Sequence, residues 1–283
     1  MMLIYLAMRM KRSIESPANP KIKEILKIRD GKAGEDLWVV EGEKSIQALV
    51  GGEAEIVELL STGGSSAEES ALERLLPSKG IGVTQISQRV AKHIAATETT
   101  QGVFAVVRFK IRDLNEISPG PEEVVAVLDG IQDPGNVGTI LRTADALGVR
   151  SVIMTEGTCR VTNQKVVRSS AGSIFRLHIA WVPEEQLLSW ASRQAMRMVV
   201  TDARAPLAIG ELSTGGKLAV VFGNESEGVR PAIRRRADAL VSVPLWGGAE
   251  SLNVAAAAAI VLYEITQKKR KRAAGEDRVP AAL

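Results

Sequence analysis

One cysteine, Cys159, is all the chain offers for sulfur chemistry, which excludes an intrachain disulfide and a cysteine-rich zinc site. Histidine is nearly as scarce. His93 and His178 stand far apart, so an imidazole-built centre is not expected and no metal is assigned. Aromatic residues make up only 4% of the 283 positions, too few for the base-stacking platforms of sheet-type RNA readers. No apolar run is long enough to span a bilayer. In the opening MMLIYLAMRMKR the positive charges follow the apolar run, and no small-residue cleavage site comes next, so no signal peptide is read there. These gaps leave a soluble, cytoplasmic protein without a membrane partner as the expectation. A hydrophobic content of 45% and a charged content of 24% are those of an ordinary globular chain. The mild positive balance, +3 with a pI near 9.0, is compatible with a polyanionic partner.

The most informative stretch runs from Leu240 to Glu264. Leu240–Val243 reads as a short buried strand stopped by Pro244, which cannot donate to a ladder. A glycine-rich loop follows through Ser251, and a helix then opens near Asn253, with Ser251 as its expected N-cap. From Ala255 to Ala259 every side chain is a methyl group, and Ile260, Val261 and Leu262 continue apolar. A helix apolar all round is expected to be buried.

Length favours two domains. Residues 1–110 contain an α/β pattern: a basic amphipathic helix over 21–28, strands over 37–40, 56–60, 82–86 and 103–109, and helices over 44–49 and 67–76. A proline- and charge-rich linker is read over 111–123. From Val124 the chain alternates strand and helix regularly, which predicts a parallel sheet over 124–267. Residues 268–283, opening with Lys268-Lys269-Arg270-Lys271-Arg272, read as a frayed basic tail.

Three polar loops leave the carboxyl ends of strands in this second part, where ligands of open α/β sheets sit. The first carries Asn136 and, further along, Arg142; the second Gly223 and Glu225; the third Ser251 and Asn253. Each residue also has a plain role open to it. Asn136 suits a helix N-cap, Arg142 can pair with Asp145 at i+3, and Gly223 can serve only the backbone. Three such loops at strand ends favour a site over three coincidences.

The residues of these loops carry a resemblance. Asn136-Val137-Gly138-Thr139-Ile140-Leu141-Arg142-Thr143-Ala144 resembles motif 1 of the SpoU (TrmH-like) RNA 2′-O-ribose methyltransferases of the SPOUT superfamily. Phe222 to Gly228 is similar to motif 2, and Val243 to Gly247 with Ser251 to Ala255 is similar to motif 3. Ser16 to Lys23, Val40-Glu41-Gly42 and Gln101-Gly102-Val103 resemble the family's accessory RNA-binding domain. Leu245 stands where the family commonly has methionine, and Trp246 adds a large ring to the loop.

The resemblance implies an α/β methyltransferase domain whose C-terminal helix is drawn into a deep trefoil knot, a rare arrangement that composition could not reveal. It implies S-adenosyl-L-methionine bound through backbone groups near Gly223, Val243 and Leu252. It further implies a homodimer, an RNA substrate, and Arg142, Asn136, Glu225, Ser251 and Asn253 as the residues of the reaction. The accessory domain favours ribosomal RNA, with transfer RNA or a non-catalytic role in ribosome assembly as the alternatives. The resemblance assigns Arg142 to activating the hydroxyl; because a guanidinium stays protonated at ordinary pH, Arg142 is expected to stabilise the developing alkoxide, or to orient the adjacent phosphate, at least as much as it accepts a proton. A nucleotide-binding oxidoreductase is disfavoured, because Gly135-Asn136-Val137-Gly138 is a fragment of the required glycine pattern.

Overall fold

The computed structural model describes residues 13–34, 36–50, 53–63, 72, 80–96 and 98–275. The chain forms two compact units. One comprises the described residues up to Lys110 together with Thr162–Phe175; the other comprises Ile111–Val161 and the described residues from Arg176 onward.

In the first unit, strands β1 (Ser13–Ile14), β2 (Leu37–Glu41), β3 (Glu55–Ser61), β4 (Gly82–Ile86) and β5 (Val103–Arg108) form a mixed sheet in the order β1-β4-β3-β5-β2. Helix α1 (Pro20–Arg29) starts where Asn19 accepts from the Lys21 amide and Pro20 pre-sets φ. Its Ile22, Ile25 and Ile28 fall on one stripe and join Val39, Leu60 and Phe104 in the core. Helix α2 (Glu43–Gln47) follows β2, and α3 (Gln88–Ile94) follows β4. The latter is a helix the sequence reading passed over, although Ser87 caps it by accepting from the Val90 amide; His93 lies on its exposed side. The excursion 162–175 brings α5 (Gln164–Ser169) into this unit, where Gln164 donates to the Val39 carbonyl. Trp38, Phe109 and Phe175 meet edge to face, with centroids 5.2–5.8 Å apart. Apart from buried Leu72, the helix expected over 67–76 lies outside the described residues, as does the opening MMLIYLAMRMKR.

The second unit is built on a seven-stranded sheet, parallel throughout. Its strands are β6 (Val124–Asp129), β7 (Ser151–Thr155), β8 (His178–Val182), β9 (Arg197–Thr201), β10 (Leu207–Ala208), β11 (Leu218–Gly223) and β12 (Ala239–Ser242), in the order β10-β12-β9-β11-β6-β7-β8. The chain runs outward from β6 to β8, then returns to the other side and inserts β11 beside β6. That reversal puts the crevice for a ligand at the carboxyl ends of β6 and β11. Val125, Val127, Ala219 and Val221 face one side of the sheet, against Leu187 and Trp190 of α6 (Glu184–Arg193) and Ile233 of α7 (Pro231–Arg235). Ala126 and Leu128, equally buried, alternate to the opposite face. Helices α4 (Pro134–Ala146) and α8 (Val254–Ala273) pack against each other, and α8 also rests on β11.

Three expectations are corrected here. The stretch 111–123 is not a loose tether: Leu114 and Ile117 enter the core, and the Ile117 carbonyl accepts from the Trp190 indole at 3.1 Å. The basic tail is not frayed through residue 275, because α8 continues to Ala273 and its first three cations are engaged. Lys268 donates to the carbonyls of Ile209, Gly210 and Leu212; Lys269 reaches the Gly216 carbonyl at 2.6 Å and Glu122 at 3.0 Å; Arg270 reaches the Leu147 carbonyl. Helix α8 is also not buried all round. Ala255, Ala258, Val261, Leu262 and Ile265 face inward, whereas Ile260 and Tyr263 are 42% and 54% exposed.

Candidate active site

Asp133, not Asn136, caps α4, accepting from the Gly135 amide at 2.6 Å, and Pro134 occupies the first helical position. Asn136 therefore lies inside the first turn with its side chain free to look outward. Likewise Asn253, not Ser251, caps α8: its Oδ1 accepts from the amides of Ala255 at 2.9 Å and Ala256 at 3.3 Å. With its oxygen so occupied, the Asn253 amide must turn Nδ2 elsewhere, and it donates to Asn136 Oδ1 at 3.0 Å. That in turn points Asn136 Nδ2 at Glu225, where it donates to Oε1 at 2.7 Å. Residues far apart in the chain are thus tied into one directed chain of hydrogen bonds, running from the amino end of α8 to a carboxylate. Glu225 keeps a second oxygen for another group, and it is exposed enough to take one.

The loop that carries Glu225 is tightly made. Asn224 and Gly228 exchange both backbone hydrogen bonds at 3.0 Å. The Asn224 side chain accepts from the amides of Ser226 and Glu227 and donates to the Gly130 carbonyl at 2.9 Å. Gly223 is required here by close approach: a Cβ would lie 2.3 Å from the Gly228 carbonyl carbon. Gly223 pairs in register with Asp129, the last residue of β6. Sequence reasoning missed Asp129, Asn224 and Arg230. A carboxylate closing the apolar run Val124–Leu128, and an asparagine four residues before a glycine, were the available signals.

The third loop has the opposite character. Every residue from Pro244 to Asn253 is exposed, and among the described residues no hydrogen bond engages the main chain from Pro244 to Leu252. Trp246 is 93% exposed. Val243 is half-buried where β12 ends, Leu252 is exposed, and among the described residues Ser251 makes no hydrogen bond to Asn136 or Glu225. The loop's unpaired N–H and C=O groups, lying between the apolar side chains of Val243 and Leu252, leave donors, acceptors and apolar surface available to a ligand.

Arg142 is not joined to this cluster within one chain. Six residues along α4 from Asn136, it lies about 9 Å up the axis and about 120° round it. Asp145 is no partner for it, being taken by Arg176 at 2.5 Å. Among the described residues Arg142 makes no ion pair. It lines an open groove of about 680 Å³ with Thr139, Thr143, Ile260 and Tyr263.

Comparison with known proteins adds a family to this geometry. Residues 123–263 match the SpoU rRNA Methylase family, and residues 19–105 match an MRM3-like substrate binding domain. The 23S rRNA (guanosine(2553)-2′-O)-methyltransferase RlmP of Bacillus subtilis is 31% identical over 256 residues, covering 90% of this chain and 99% of that one. Among solved structures, an RNA 2′-O ribose methyltransferase superposes with a TM-score of 0.79 at 30% identity, covering 91% of this chain and 99% of the other. An AdoMet-bound rRNA methyltransferase from Sinorhizobium meliloti superposes with a TM-score of 0.79 at 27% identity, over 91% and 98% of the two chains. Since the match to RlmP runs through both units and nearly the whole of that relative, the chain belongs to the SpoU rRNA methylase family.

Proposed function

We propose that this protein methylates a ribose 2′-hydroxyl of 23S ribosomal RNA with S-adenosyl-L-methionine as donor. The observation that carries the reading is the tie from Asn253 through Asn136 to Glu225, which joins three strand-end loops at the switch point of a parallel sheet. The cofactor, when bound, supplies an electrophilic methyl group on a sulfonium. Backbone groups of 243–252, with Val243, Leu252 and the Gly223 edge, are the groups of this chain that would hold it.

A ribose hydroxyl is a weak nucleophile, and orientation contributes much of its activation. Glu225, held by Asn136, offers its second carboxylate oxygen to orient an incoming guanidinium or hydroxyl. As the ribose oxygen attacks the methyl carbon its proton passes to solvent water, and Arg142, already protonated, stabilises the developing negative charge on that oxygen without taking the proton. Ser251, at the mouth of the open loop, contributes a hydroxyl toward the substrate. The first unit serves as the RNA-holding part, in keeping with its match to a substrate binding domain.

In this reading the protein works as a homodimer whose two sites each take Arg142 from the partner copy. Ile260 and Tyr263 leave an apolar face uncovered beside Arg142, which is the face such a second copy would cover. The methyl-sided first half of α8 suits a helix drawn through a backbone loop, so the knot belongs to the proposal as well.

The test is transfer of a labelled methyl group to unmodified 23S rRNA. Arg142→Ala should lose about 10²–10³-fold in kcat with S-adenosylhomocysteine affinity nearly intact. Mixing Arg142→Ala with Asn136→Ala subunits should restore about a quarter of wild-type activity, because each mixed dimer holds one complete site. Recovery of nothing would remove the shared site; near-normal turnover by Arg142→Ala would remove its assigned role.

A further inference from the structure

The loop bearing Glu225 is anchored by a group that the proposed chemistry does not use. Asp129 ends β6 with its side chain fully buried, where a lone carboxylate would be costly. It is instead saturated. Thr155 Oγ1 donates to Oδ1 at 2.7 Å, Arg230 Nε donates to Oδ1 at 2.8 Å, and the Arg230 backbone amide donates to Oδ2 at 2.8 Å. Arg230 Nη2 lies 2.7 Å from the same carboxylate, and Glu184 stands 3.4 Å from Arg230 Nε. Arg230 is the residue at which the Glu225 loop leaves its turn, and Asn224, at which it enters, is tied to Gly130 beside Asp129. Both ends of the loop are therefore held by two consecutive residues, Asp129 and Gly130, and the stretch left exposed runs from Glu225 to Gly228. The next few residues after Gly130 start α4 and bring in Asn136, the side chain that meets the Glu225 carboxylate.

We propose that Asp129 and Arg230 are positioning residues for the methyl transfer: their buried ion pair fixes the base of the second loop so that the Glu225 carboxylate meets Asn136. The proposal rests on the methyltransferase reading for its consequence, not for its geometry. A buried charge with its partner removed leaves an uncompensated carboxylate, so the loop base shifts even though neither residue touches substrate. Neither Asp129 nor Arg230 is among the groups proposed to touch substrate or cofactor, which places the loss mainly in kcat and leaves KM for RNA within a few-fold.

Arg230→Gln, at a partly exposed side chain, is the variant that keeps the fold; Asp129→Asn is the stricter companion. Two measurements are made on the full-length protein. The first is the side-chain amide resonance of Asn136, which reports its hydrogen bond to Glu225 without any turnover. The second is kcat on unmodified 23S rRNA for Arg230→Gln, Glu225→Gln and the double variant. The expectation is that Arg230→Gln shifts the Asn136 resonance in the direction of Glu225→Gln and lowers kcat about tenfold. Arg230→Lys should recover part of both, and the double variant should be no worse than Glu225→Gln alone. An unmoved Asn136 resonance, or losses that multiply in the double variant, would overturn the positioning role. If wild-type protein transfers no methyl at all, the methyltransferase reading fails while the resonance still decides the geometry.

Discussion

The second and third loops of the site carry equally clear family signatures, yet they are built in opposite ways. Residues 224–230 are cross-tied by Asn224, backed by the buried Asp129–Arg230 pair, and pressed so close that Gly223 has no room for a Cβ. Residues 244–252 lie open, with an unpaired main chain and Trp246 in solvent. The first is shaped before any ligand arrives, because its own side chains satisfy its backbone. The second has backbone groups that water satisfies now and a ligand can satisfy later. The site proposed above, which aims one carboxylate and encloses one nucleoside, has use for both kinds of loop.

The largest effect expected from that contrast comes from adding one methyl group to each loop. In Gly223→Ala the new Cβ meets backbone at 2.3 and 2.4 Å, which no side-chain rotation relieves. A cost of about 3 kcal/mol is expected, lowering Tm by roughly 6–12 °C. Gly247 and Gly248 have nothing within 4 Å of an added methyl and no positive φ, so their alanine variants should stay within about 0.5 kcal/mol of wild type. Thermal melts of the three proteins check this. Equal losses at Gly223 and Gly247 would erase the distinction.

A middle-sized effect is expected in amide exchange. The amides of Asn224 and Gly228, each donating to the other residue's carbonyl, should exchange slowly in the free protein. Those of 245–252 should exchange near the rate of an open chain, then slow by about tenfold or more when S-adenosylhomocysteine binds. Slow exchange across 245–252 in the free protein, or protection confined to 224–228 on binding, would assign the ligand to the wrong loop.

How much of this could be read in advance follows from which force sets each feature. The parallel sheet was legible because alternating apolar strands and helices repeat from Val124 onward, and strand burial is written in side-chain type. Asn136, Glu225 and Asn253 were legible as candidates because their loops carry a recognisable pattern. Their connection was not, since a hydrogen bond between residues 117 apart leaves no local trace. Both N-caps were misplaced because several residues near each helix start can cap, and tertiary partners choose among them. Ser251 lost to Asn253, whose amide serves the helix and Asn136 together. The burial of α8 was overestimated for a different reason: methyl groups and Ile260 say only that a face is apolar, not that this chain covers it. The cations of 268–270 looked like a solvated end because sequence does not show that the carbonyls of 209–216 lie within reach.

The smallest effect concerns whether the openness of 244–252 is its own or is passed on from a loose α8. Lys269 pins the far end of that helix to Glu122 and to the Gly216 carbonyl. The hydrogen bond from Lys269, followed by that from the Gly216 amide, holds the Glu122 carboxyl below its ordinary value. A depressed folded-state pKa means that the pair contributes stability above the unfolded-state value of about 4.3, and that this contribution fades as pH falls through the folded value. Glu122→Gln should therefore lower Tm at pH 7 by at most about 2 °C and flatten the acid side of the stability profile, the exposed carboxylate being well screened. Exchange in 245–252 should not change. If it quickens when the pin is removed, the openness belongs to the whole C-terminal helix and the contrast between the two loops is one of anchoring rather than of loop chemistry.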